Sequence, residues 1–239
     1  MREQTFTLSD SASESLPAER AAFIRRTYTH LAVALLLFTG LEFYMVNSPF
    51  AEELAISMTD GMSWLLVLAL FMGVSYIANK LALSGSSVQM QYLGLGLFII
   101  AEAIVFLPLL FIASNYVGGS DLIPTAGLMT LLLVTGITAT VFITKKDFSF
   151  MSGILSVGAF VALGFIVCSI IFGFSLGLIF SAVMILFAGG SVLYTTSNIL
   201  HEFRTDQHVA ASLSLFASVA LLFFYIVQFL MHNAGGGND

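Results

Sequence analysis

Apolar residues along this chain gather into long unbroken runs, at about 28–46, 62–83, 91–113, 124–144, 149–172, 176–200 and 209–231. Each approaches or exceeds the roughly 20 residues that carry a helix across the hydrocarbon of a bilayer. A transmembrane barrel would instead show alternating segments of about 10 residues. The pattern predicts an all-α, polytopic integral membrane protein, a bundle of seven transmembrane helices in one domain over residues 27–231. Before it, "MREQTFTLSDSASESLPAERAAFIRR" is rich in Ser and Glu and reads as a flexible tail over 1–26. It has no apolar stretch of the kind a secretory signal needs. The Gly-rich residues 232–239 read as a second short tail.

Composition agrees: 58% of the residues are hydrophobic and 9% charged, against about 25% charged in soluble domains. Charge then orients the bundle. Arg2, Arg20, Arg25, Arg26, Lys80, Lys145, Lys146 and Arg204 all fall in the N-terminal tail, at the 2/3, 4/5 and 6/7 connections, or at span ends beside them. The opposite face holds Glu52, Glu53, Asp60, Asp121 and Asp239 and no basic residue. The positive-inside rule therefore predicts a cytoplasmic N-terminus and, after seven crossings, an external C-terminus. A net charge of −6 gives no footprint for nucleic acid.

Few side chains within the spans carry chemistry. Glu102 lies near mid-membrane in span 3, where a charge costs several kcal/mol unless paired, protonated or wet. It is the first candidate for a pore or proton-sensing group. Glu42 in span 1 is the second, nearer the outer surface and within expected reach of water. Lys80 is expected to snorkel to the interface, Pro108 can bend span 3, and the span glycines are expected to pack helices closely. "GFSLG" at 173–177 matches a nucleophile-elbow pattern, but it lacks the strand and His partner that the chemistry requires, so it reads as a tight turn and the protein is not expected to be an enzyme. His201, Glu202, Asp206 and His208 lack the spacing of a helical zinc site; no metal or cofactor is implied. Span 6 ends in an uncharged polar run, Tyr194, Thr195, Thr196, Ser197 and Asn198, inside an otherwise lipid-compatible helix.

Four strings together carry a likeness: "AAFIRRTYTHLAVALLLF", "AEAIVFLPLL", "ITKKDFSFMSG" and "LYTTSNILHE". From Phe23 to Leu230 the chain resembles the Bax-inhibitor-motif family, especially its bacterial YccA-like branch. The resemblance implies a bundle with the last helix central. Members that act as pH-sensitive calcium leaks carry an Asp after the Tyr of span 6 and a second Asp in span 7. The matching positions here hold Thr195 and Ser218, which can share a contact but cannot titrate as a carboxyl pair does. YccA-like relatives are associated with an FtsH-type membrane AAA protease. The resemblance thus implies a regulatory protein of the bacterial inner membrane, with that protease as partner, or alternatively a passive leak for Ca2+ or other cations.

Overall fold

The computed structural model describes residues 11–13, 15–60, 62–83, 87–117 and 121–235. Its helices are α1 (Pro17–Val46), α2 (Ala51–Thr59), α3 (Ser63–Ala82), α4 (Val88–Ile112), α5 (Leu122–Thr144), α6 (Met151–Phe172), α7 (Gly177–His201) and α8 (His208–Gly235). A π-helical turn, Ala113–Val117, extends α4. Seven helices are long and apolar enough to cross a membrane, and α2 is not. The protein is a polytopic helical membrane protein. Successive spans alternate in direction, so Arg25, Arg26, Lys80, Lys145, Lys146 and Arg204 mark one end of the bundle, the basic end. Glu52, Glu53, Asp60 and Asp121 mark the other, the acidic end.

Two differences from the sequence reading have local causes. The tail expected through residue 26 gives way to helix at Pro17, ten residues early. Proline fits the first helical turn, and Ala18, Arg20, Ala21 and Ala22 favour helix. At 30 residues, or ~45 Å, α1 exceeds the bilayer core, so its charged first turns project from the basic end. Residues 1–10 of the expected tail lie outside the described residues, as do 236–239 at the other end. The second difference is α2, a short helix in the 47–61 connection. It buries Ala51, Ala55 and Met58 on one face while Glu52 and Glu53 stay exposed, and that face packs on α4 and α3.

The last helix is central: α8 packs against α7, α1, α5, α4 and α3. More than half of its apolar window is buried, whereas only 6% of the α6 window is. Helix α6 leans mainly on α7 and turns Phe160, Phe165 and Phe172 outward. Because lipid is as apolar as leucine, helices in a bilayer associate through close packing and polar contacts. The α3/α4 seam shows this: a Cβ on Gly94 would sit 2.5 Å from the Ala78 carbonyl oxygen. Gly158 does the same against the Phe187 ring, at 2.7 Å. The close-packing expectation fails at Gly96, Gly153 and Gly164, which face open space. Gly173 and Gly177 stand at φ +71° and +69° and make the α6–α7 turn.

Candidate functional site, the basic end of α7

Toward the acidic end α7 buries a single stripe, Ser181, Met184, Ala188 and Val192; from Thr195 onward it buries consecutive residues. Here the helix is enclosed on all sides, and its polar run supplies a different neighbour at each step of about 100°. Thr195 Oγ1 lies 3.1 Å from Ser218 Oγ on α8. Ser218 also meets Ser191 Oγ at 2.9 Å and donates to the Ser214 carbonyl at 3.1 Å. Thr196, fully buried, stands by the Tyr28 hydroxyl of α1 and Thr138 of α5, and none of the three hydroxyls closes a hydrogen bond of standard geometry. Ser197 Oγ accepts the Phe148 N–H at 2.9 Å and reaches the Lys146 carbonyl at 3.5 Å. Tyr194 is half-buried. Asn198 closes the helix, its carbonyl accepting the N–H groups of Glu202 and Phe203.

The connection that Ser197 holds is itself built. Lys145 ends α5 in the left-handed region at φ 51°. Asp147 Oδ1 accepts the Ser149 N–H at 2.8 Å as the chain turns into α6, and that bond holds its carboxyl below the usual aspartate range. Residues before α1 join the same end. Ala12 is fully buried and donates its N–H to the Phe203 carbonyl at 2.9 Å, Ser11 bridges Arg204, and Ser13 Oγ donates to the His201 carbonyl at 3.2 Å. Thus a strap over residues 11–13 lies on the α7–α8 connection. Arg204 forms a bidentate pair with Asp206, 2.7 Å at its shorter contact.

The two carboxyl candidates lie in the acidic half, within electrostatic range of each other. Glu102 is 7% exposed and faces a cavity of about 410 Å³ walled by α3, α4, α6, α7 and α8. Glu42 borders a second cavity, of about 470 Å³, with Phe38, Leu110 and Phe223. Its expected contact with water does not form. It is 4% exposed, and both carboxyl oxygens are shut in without a hydrogen-bond partner among the described residues. In the middle of the bundle Phe38, Phe98, Phe106 and Phe216 meet edge to face, with centroids 5.1–6.1 Å apart, and Phe106 and Phe38 also line the two cavities.

A family model described as inhibitor of apoptosis-promoting Bax1 (Bax1-I) matches residues 20–235. The chain belongs to the Bax1-I family. A relative from Pseudomonas aeruginosa is 30% identical over the full length of both chains. The modulator of FtsH protease YccA of Escherichia coli is 36% identical over 114 residues, 47% of this chain and 52% of its own. Bax inhibitor 1 of Schizosaccharomyces pombe is 27% identical across 91% of this chain and 79% of its own. In this Bax1-I member the hydroxyls of Thr195 and Ser218 meet across the α7–α8 seam, while Glu42 and Glu102 stand apart from that seam.

The sequence reading missed a cluster at the basic end. His30 Nε2 lies 2.8 Å from the Tyr92 hydroxyl, its Nδ1 donates to the Arg26 carbonyl at 2.7 Å, and His208 packs edge-on at 5.0 Å between centroids. Tyr92 and His208 lie in the first two turns of α4 and α8, and His30 stands midway along α1, whose first turns project from the basic end. Among the described residues no three His, Cys, Asp or Glu side chains converge as a metal site requires.

Proposed function

We propose that this protein is a regulatory component of the bacterial inner membrane that modulates an FtsH-type membrane AAA protease, with its basic end in the cytoplasm. The observation that carries this reading is the 36% identity to an FtsH modulator over nearly half the chain. The basic end supports it physically. The strap is hydrogen-bonded to the end of α7 and to the α7–α8 connection, and the α5–α6 connection to the last turns of α7, so the three lie together at the basic end. A protease pulling on the N-terminal segment must first strip Ala12 from Phe203, so the same contact that exposes a shaped surface also resists extraction. The protein acts through contact and does no covalent chemistry.

Reconstituting this chain with the protease of its own organism, and following turnover of a membrane substrate, tests the reading. A saturable change in turnover rate is expected; an unchanged rate with no co-purification overturns it. A second reading, a passive cation leak, draws on Glu42 and Glu102 bordering cavities in the acidic half. Calcium flux into liposomes across acid to neutral pH distinguishes the two.

A further inference from the structure

The cavity beneath the acidic end differs chemically from the rest of the bundle. It runs from Trp64, Leu176 and Gln228 near the rim down to Glu102, ten residues from the end of α4, or ~15 Å along the helix. Trp64, Phe71, Phe180, Phe224 and Tyr225 wall it with aromatic rings. Phe180 and Phe224 both stand edge-on to Tyr225, at 6.0 and 5.4 Å. Among the described residues no hydrogen-bond donor reaches the Glu102 carboxyl. This side chain is more than nine-tenths buried, borders an open volume and has no hydrogen-bond partner among the described residues.

We infer that this cavity binds a small monovalent organic ammonium ion, its charge on Glu102 and its alkyl groups against the aromatic wall. Aromatic faces attract alkylammonium groups, most strongly where water is excluded, and one carboxylate balances one positive charge. The alternative cation is poorly served. Calcium takes six to eight oxygen ligands, whereas the cavity offers one carboxylate, the Tyr225 hydroxyl, the Gln228 amide and Ser169, whose hydroxyl already donates to the Ile166 carbonyl. The volume of about 410 Å³ suits a small tetraalkylammonium. A free amine can enter from the rim, whereas a phospholipid amine would have to sink far below the headgroup layer. The inference stands independently of protease modulation.

Trp64, the single Trp of the chain, makes the cavity wall its own reporter. The test titrates tetraethylammonium into the full chain in phosphatidylglycerol nanodiscs while following Trp64 emission. A saturable change is expected. Glu102→Gln should weaken binding by about tenfold or more and Phe180→Leu by roughly threefold. Glu102→Asp should restore part of the affinity, which a merely structural role for Glu102 would not explain. Because the cation favours the ionised carboxyl, affinity should rise with pH in the parent and be flat in Glu102→Gln. Glu42 on α1 and Tyr225 on α8 are the other titratable groups facing this region, and Glu42→Gln should keep the rising profile. No saturable signal in the parent, unchanged binding in Glu102→Gln, or displacement by Ca2+ at equal concentration would overturn the proposal. Competition from added phosphatidylethanolamine would assign the site to a lipid headgroup and overturn the free-amine source.

Discussion

Thr195 and Ser218 share a hydrogen bond in which Thr195 donates while the Ser218 proton goes to the Ser214 carbonyl, and neither titrates near neutral pH. Replacing both by Asp puts two carboxyls about where the hydroxyls meet, and such pairs hold one proton with one pKa strongly raised. A raised folded-state value means stability present at low pH and lost as pH rises through it. The double Asp variant should therefore melt at a lower temperature at neutral than at acid pH, and the double Ala variant should track the parent; thermal melts in detergent across pH check this. Asp147 has the opposite sign. Its carboxyl, held below the usual range by the Ser149 N–H, stabilises above that range and loses its contribution as pH falls through the depressed value. Asp147→Asn should remove that acid-side dependence, and melts of the variant against the parent would show it. Residue identity was legible in the sequence where polarity was out of place, as at Thr195 and Glu102. It was not legible at Glu42, because closure over a carboxyl depends on Phe38, Leu110 and Phe223 arriving from three helices.

Run length reports the part of a helix immersed in hydrocarbon, which is why the seven spans could be read within a few residues at most ends. It is silent on what projects beyond, so the first turns of α1 and the whole of α2 were missed. Glycine function was only half legible, since the sequence cannot say which side of a helix meets a neighbour. Gly94 and Gly96 make that a measurable contrast. Gly94→Ala forces the α3 backbone away and should cost about 1–3 kcal/mol, with a visible loss of thermal stability. Gly96→Ala meets nothing within 4 Å and should be neutral or slightly stabilising, because alanine favours helix by up to ~1 kcal/mol. Equal melting temperatures for the two variants would contradict the α3/α4 packing.

For the molecule as a whole, reporter fusions should place residues 145–148 and 201–208 in the cytoplasm and 47–60 outside, as the split between basic and acidic ends expects. An external signal from the 201–208 connection would reverse the orientation and remove the cytoplasmic surface on which protease modulation depends. The central place of α8 has a further consequence in time. Chains emerge from the ribosome N-terminus first, at about 5–20 residues per second, so α8 reaches the membrane after all of the helices it contacts, α1, α3, α4, α5 and α7. Until it arrives, the earlier spans surround a furrow that only lipid or a chaperone can fill, and Ser191 and Thr195 lack their shared α8 partner, Ser218. Packing of these helices is therefore completed only once α8 has entered the membrane, and a nascent chain stalled before His208 should lack the helix they share.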